Sequence, residues 1–422
     1  MTDTPTLDQP GRRKAAVGFI FAAALMDILA LGIMIPVLPN LVKQFAGGDT
    51  ATASQYILLF AVTWGVMQFF FGPIMGMLSD RFGRRPVLLI SIFGLGVDYL
   101  FMALAPSLAW LYVGRLINGV TSASFSTANA YIADVTKPDD RAKAYGLMGA
   151  AFGVGFILGP GLGGFLGQYS LRLPFYFSAG LALINWLYGF FILPESLPKA
   201  LRSERLNWRK AIPAAGAIGF LKSKRELLSL AGIYQLFQLS HNVFPSIFVL
   251  FVGYRFGWGT RDSGLMLMAT GLVSVLVQVA LVGRVVKTLG ERGALLIGLA
   301  SATAAFVVYG LAPTGWWFIA GIPAGALTGL IGPGLQGLMT RRVGPSEQGQ
   351  LQGTNSAMTG LSAIIGPVVY LSTLAFAVRH SATTPPGLPI LIAAGLTAAA
   401  FLVALRHARP MPTTLISEAA AA

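Results

Sequence analysis

Cysteine is absent and charge is scarce: 11% of the 422 residues are Asp, Glu, Lys or Arg, where a soluble domain carries about 25%. Without cysteine there is no disulfide framework, thiolate metal site or cysteine nucleophile. With so little charge, a chain of this length cannot cover its surface in water. A soluble enzyme is therefore excluded, and an apolar share of 55% equally excludes a disordered or collagen-like chain. Also missing are a phosphate-binding glycine loop, HExxH, GxSxG and any metal-ligand spacing. No ATPase and no catalytic pair can be assembled, so neither enzyme activity, metal nor cofactor is expected. Any work must be driven by a gradient.

What the chain has instead is long apolar runs. A helix crossing the hydrocarbon needs about 20 mostly apolar residues. Twelve such stretches occur, each bounded by Pro, Gly or charge: 15–38, 54–78, 86–105, 108–132, 143–167 and 174–193, then 227–252, 263–288, 293–312, 315–340, 350–376 and 388–406. The expected fold is all-α, a polytopic membrane protein of twelve transmembrane helices in two pseudo-symmetric six-helix bundles. The bundles are 15–193 and 227–406, joined by a polar linker at 194–226 that holds eight basic residues and Trp208, with tails at 1–14 and 407–422.

Lys and Arg set the orientation, because basic residues stay on the cytoplasmic side. With the N-terminus inside, 24 of the 30 basic residues are cytoplasmic. Lys43, Arg172, Arg255, Arg261 and Arg379 face outward, and Arg115 lies within a span. Both termini are then cytoplasmic, and the +14 net charge faces anionic lipid, so no nucleic-acid partner is needed. The first apolar run, interrupted by Asp27, is too long for a cleavable signal.

The halves are copies. An offset of 207 residues places Gly76 on Gly283, Gly83 on Gly290, Arg85 on Arg292, Gly114 on Gly321, Asp140 on Glu347, Gly146 on Gly353, Gly153 on Gly360 and Gly159-Pro160 on Gly366-Pro367. Parallel repeats of this kind bind substrate between them near the midplane.

Three intramembrane charges stand out: Asp27, Asp98 and Arg115. Charge within a span is costly and rare. Asp98 lies eight residues before Pro106 and Arg115 nine after, so an antiparallel hairpin brings them to one depth. The spacing suits either a static ion network or a proton site, in which a buried carboxylate beside a cation changes charge as its access changes. The second reading makes Asp27 or Asp98 the carrier of a coupled proton.

The loop GMLSDRFGRRP has Gly76 and Gly83 for a tight crossing, Asp80 to pair with guanidinium groups, and Arg81, Arg84 and Arg85 to anchor it. It reads as a positive-inside anchor or as a gate latch, and its second copy carries Lys287 in place of Asp80. In GVGFILGPGLGG, Gly159 and Pro160 suggest a hinge. Gln235, Gln238 and Asn242 share one face of the seventh span, with His241 beside them. That stripe either lines an aqueous cavity that binds substrate or bonds one helix to another. Gln68, Asn118, Gln278, Gln336 and Asn355 are further candidates for contact with cargo.

These motifs resemble the major facilitator superfamily. GMLSDRFGRR is similar to its signature loop, LYVGRLINGV to its fourth-helix pattern, and GVGFILGPGLGG to the fifth-helix pattern of the drug/proton antiporter branch. LSDRFGRRPVLL, VDYLFMALAP, YIADVT, LPES, GER and QGQLQG resemble the tetracycline/proton antiporters of Gram-negative bacteria. The resemblance implies a monomer in lipid in the bacterial inner membrane, exporting an amphiphilic small molecule against protons by alternating access. It also implies that Asp27, Asp98 and Arg115 are the coupling residues. The ninth-helix acid that it implies falls at Ala302 and the eighth-helix histidine at Ser274, departures that weigh against a metal-chelated tetracycline. An importer or symporter, with Asp98, Arg115 and the glutamines as its substrate site, is the alternative.

Overall fold

A computed structural model of the protein describes residues 10–121, 124–136, 141–202, 219–344 and 347–408. Among the described residues, each of the twelve apolar stretches is largely helical. Proline in the first turn, where a missing N–H costs nothing, opens several helices, among them Leu38–Phe45, Leu173–Ile192 and Leu388–His407.

Among the described residues, ten helices are long and apolar enough to cross a membrane. One of these, Thr260–Leu311, runs 52 residues, or ~78 Å at 1.5 Å per residue, more than twice a hydrocarbon core of ~30 Å. Gly290, at φ 69° and ψ 176°, divides it into the eighth and ninth spans. The fourth span is Leu108–Thr121 followed by Ser124–Val135, with residues 122–123 between them outside the described set.

The repeat is visible in the backbone. Helix-opening residues Leu108 and Gly315 stand 207 positions apart, as do Arg141 and Gln348. Gly83 and Gly290, also 207 apart, both take positive φ, a conformation glycine adopts without steric cost.

The chain forms two compact units. The first holds the described residues within Met1–Gly47, Thr63–Ala211 and Gly259–Met268; the second holds those within Gly48–Val62, Ile212–Trp258 and Ala269–Ala422. Each half thus lends one segment to the other's unit, and under the 207 offset the lent pieces overlap, Gly259–Met268 corresponding to 52–61. In the first unit the first span packs on the fifth and sixth, and the third packs on the fourth and sixth. The second unit repeats these pairings, seventh on eleventh and twelfth, and ninth on tenth and twelfth.

Glycine sets the closest approaches. A Cβ at Gly163 would stand 2.0 Å from the Ile33 carbonyl oxygen of the first span. At Gly264, in the lent segment, it would stand 2.3 Å from the Pro160 oxygen and 2.8 Å from the Gly164 Cα. The fifth span is therefore gripped, backbone to backbone, between the first span and the opening of the eighth. Gly159 sits in the same contact, 3.0 Å from where a Cβ at Gly32 would stand, and the helix continues through Pro160.

Candidate functional site

Asp98 is fully buried on the third span, and Arg115 of the fourth is almost so. Arg115 Nη2 lies 3.3 Å from Asp98 Oδ2, the pairing that the spacing about Pro106 anticipates. The same Nη2 meets the sulfurs of Met102 at 3.2 Å and Met34 at 3.6 Å, soft and weak acceptors. A side chain at Gly114 would put its Cβ 2.8 Å from Asp98 Oδ1, so glycine keeps the carboxylate's place against the fourth span. Asn118 Nδ2 donates to Asp98 Oδ2 at 2.9 Å, and Asn118 Oδ1 accepts from Trp64 Nε1 at 2.8 Å. Asp98 Oδ1 is buried without a hydrogen-bond partner.

Asp27, half-buried on the first span, accepts from Asn185 Nδ2 at 2.9 Å, and Asn185 also donates to the Ala23 carbonyl at 3.0 Å. Tyr99, the residue after Asp98, is fully buried, and its hydroxyl has no hydrogen-bond partner. The structure thus pairs Asp98 with Arg115 and ties Asp27 to the sixth span through Asn185. Sequence spacing does not single out Asn185, Trp64 or Tyr99. A polar residue in an otherwise apolar helix is the signal for the first of them, and the other two carry no signal of their own.

At the loop after the second span, Arg84 binds Asp80 at 2.5 Å and Asp134 of the fourth span at 3.1 Å. Glu195 Oε1, from the LPES segment, accepts the backbone N–H of Arg84 at 2.8 Å, of Ser196 at 3.0 Å and of Leu197 at 3.1 Å. Glu195 therefore supplies an anion at the opening of the third span, where the helix dipole favours negative charge. Arg85 donates to the Phe190 carbonyl at 2.6 Å, and Arg81 stays exposed over the Phe82 ring. At Gly83 a Cβ would fall 2.1 Å from Glu195 Oε2. At Gly76 nothing lies within 4 Å of where a Cβ would be, so the tight crossing expected of both glycines belongs to Gly83. In the second copy Glu291 pairs with Arg341.

Residues 20–367 match the Major Facilitator Superfamily. The chain belongs to the major facilitator superfamily. Among curated relatives, the tetracycline resistance protein, class C, of Escherichia coli is 37% identical over 377 residues, covering 89% of this chain and 93% of its own. The class E protein of the same organism is 38% identical, covering 91% and 93%. Multidrug resistance protein 2 of Bacillus subtilis (strain 168) is 29% identical, covering 83% and 87%. Among solved structures, the human organic anion transporter MFSD10 (TETRAN) is 25% identical with a TM-score of 0.67, covering 94% of this chain and 100% of its own. The nucleoside transporter NupG, at 14% identity and a TM-score of 0.74 over 94% of this chain and 100% of its own, shares the fold.

For a superfamily transporter, the polar stripe of the second half is the other place to look. Gln235 Nε2 donates to Ser362 Oγ at 2.8 Å, and Gln238 Nε2 to Thr359 Oγ1 at 2.8 Å, both on the eleventh span. Tyr234 shares Thr359 at 2.9 Å, and Asn355 Nδ2 donates to Gln336 Oε1 at 3.1 Å. The glutamines bond one helix to another and keep half-exposed surface as well. Asn242 donates to the Gln238 carbonyl at 2.8 Å and fills the space against Gly366. His241 is exposed, its ring beside that of Phe237. Gln68 is half-buried, and Gln278 is exposed at the start of a π-helical turn, Gln278–Val282. Asn118 is engaged by the acid network. Ala302, where the resemblance implies an acid, is fully buried.

Proposed function

We propose that this transporter is a proton-coupled efflux antiporter that expels a drug-like or amphiphilic small molecule from the bacterial cytoplasm by alternating access. The observation that carries the reading is the ion pair of Asp98 and Arg115, enclosed within a membrane span. A carboxylate in such surroundings changes charge as its distance from the cation or its access to water shifts. Exchange of a proton at Asp98 or Asp27 then couples the gradient to cargo movement. No cofactor is required. The protein works as a monomer in the inner membrane, with both termini cytoplasmic, and the Arg84 loop with Asp80, Asp134 and Glu195 latches that face.

The relatives named for tetracycline and multidrug resistance support export of an amphiphile. A buried methyl at Ala302 and a stripe of neutral amides and hydroxyls favour an organic cargo over a metal chelate.

The test is uptake into inverted vesicles from an efflux-deficient bacterium, with a panel of dyes and amphiphilic antibiotics under an imposed proton gradient. Asp98→Asn and Asp27→Asn are each compared with the unaltered protein. Loss of gradient-driven uptake in one or both supports the proposal. Unchanged uptake in both variants overturns it.

A further inference from the structure

We infer that the Trp64–Asn118 hydrogen bond ties the second span to the protonation of Asp98, Asn118 acting as a positioning residue for the carboxyl. The inference rests on Asp98 exchanging a proton, and it adds how that exchange reaches the moving helices.

An indole N–H can only donate. Trp64 Nε1, 2.8 Å from Asn118 Oδ1, therefore fixes which way the amide points, and Nδ2 must face Asp98 Oδ2 at 2.9 Å. Arg115 Nη2, also a donor, faces the same oxygen at 3.3 Å. This arrangement fits a carboxylate and opposes an acid. A proton on Oδ2 would confront two donors, and a proton on Oδ1 would sit on an oxygen that is buried without a partner. A buried proton left without an acceptor disfavours the acid in this arrangement.

One movement relieves the conflict. If the Asn118 amide turns over, its oxygen accepts the acid's proton, but its NH₂ then meets the indole N–H, donor against donor, and Trp64 must let go. The other titratable groups facing the acid do not substitute for this. Arg115 has no acceptor to offer. Tyr99 and, beyond it, Asp27 with Asn185 stand on the first, third and sixth spans and not on the second.

The place where Trp64 is released gives the bond its consequence. The second span belongs to one compact unit through Val62 and to the other from Thr63 onward. At that boundary it is pinned to the fourth span by Thr63 Oγ1 on the Tyr112 hydroxyl at 3.1 Å, by Trp64 on Asn118, and by Met67 against Gly119, where a Cβ would stand 2.5 Å from the Met67 Cβ. Loosening the middle contact weakens the seat of the second span on the fourth.

The absence of cysteine allows one thiol to be placed at will. In the full chain in lipid nanodiscs, Phe70→Cys, at an exposed position six residues past Trp64, carries a nitroxide label. Its mobility is followed by EPR from about pH 8 to about pH 5, the range in which catalytic and coupling acids commonly change charge. The expected result is a step in mobility that is fixed at its low-pH value in Asp98→Asn. The step should be lost in Trp64→Phe, which keeps the ring and removes the N–H, and in Asn118→Leu, and kept in part by Asn118→Gln. Monodisperse elution checks folding, and Trp64→Phe decides if Asn118→Leu fails to fold. A step unchanged by Trp64→Phe, or no step in the parent, overturns the inference. Loss in Asp98→Asn with persistence in Trp64→Phe would overturn the relay and leave the proton site standing.

Discussion

Arg84 and Glu291 occupy the same position of the two repeat copies, 207 residues apart, and carry opposite charge. Their partners are exchanged in the same sense: Arg84 binds Asp134 of the fourth span, and Glu291 binds Arg341, which is Asp134 shifted by 207. The tie between a loop and the next helix has been preserved while its polarity has been inverted. Reversing one member, as in Arg84→Glu or Glu291→Arg, should lower thermal stability, and reversing both members of a pair should restore most of it. Coupling in a double-mutant cycle should be about 1.5–3 kcal/mol for the sheltered Arg84–Asp134 pair. It should be about 0.2–1 kcal/mol for Glu291–Arg341, where the arginine side chain is 54% exposed. Failure of both double reversals to recover stability would refute the equivalence.

The backbone contacts of the fifth span predict opposite fates for two glycines. Gly163→Ala drives a methyl into the Ile33 carbonyl and should cost about 1–3 kcal/mol or more. Gly146→Ala meets nothing within 4 Å and should be neutral or stabilising by about 0.4–1 kcal/mol, through a less flexible unfolded chain. Thermal unfolding followed by elution of the intact protein separates them.

Thr359 accepts from both Tyr234 and Gln238 while donating to the Asn355 carbonyl at 3.0 Å. Thr359→Val removes the shared acceptor and should destabilise by about 0.6–2 kcal/mol, the range of interhelical bonds in membranes. Combining it with Tyr234→Phe should add less than the sum of the single changes. Strict additivity, measured as the shift in melting temperature, would show that the hydroxyl is not shared.

Asp49, just before the second span, is held below the usual carboxylate range by hydrogen bonds from the Thr52 hydroxyl and backbone and from the Ala51 backbone N–H, against a smaller opposing effect of burial. A lowered acid stabilises the fold above its unfolded value and loses that contribution as pH falls through the folded one. The melting-temperature gap between the parent and Asp49→Ala should therefore be constant from neutral pH down to about 5 and close below about 4. A gap that widens on acidification would contradict this.

Much of this architecture can be read from the residues, because apolar length and the 207 offset are local or periodic quantities. The helices opening at Leu108 and Gly315 begin where the offset puts them, and Asp98 meets Arg115 because both lie about equally far from Pro106. Partners set by helix rotation are harder to read. Whether Asn118 faces cargo or Asp98 depends on how Gly119 seats against Met67, which no stripe rule contains. Glu195 lies 111 residues from the Arg84 N–H that it accepts, in a loop without periodicity. The grip of Gly264 on Pro160 joins two helices whose sequences give no hint of each other.

The lending of Gly259–Met268 to one unit and Gly48–Val62 to the other bears on how the protein can be taken apart. Severing the chain between Arg202 and Gly219 would yield two fragments, each retaining the loan it owes and lacking the one it is owed. Neither fragment produced alone could fill the gap in its own bundle, and activity should return only when both are synthesised in the same membrane.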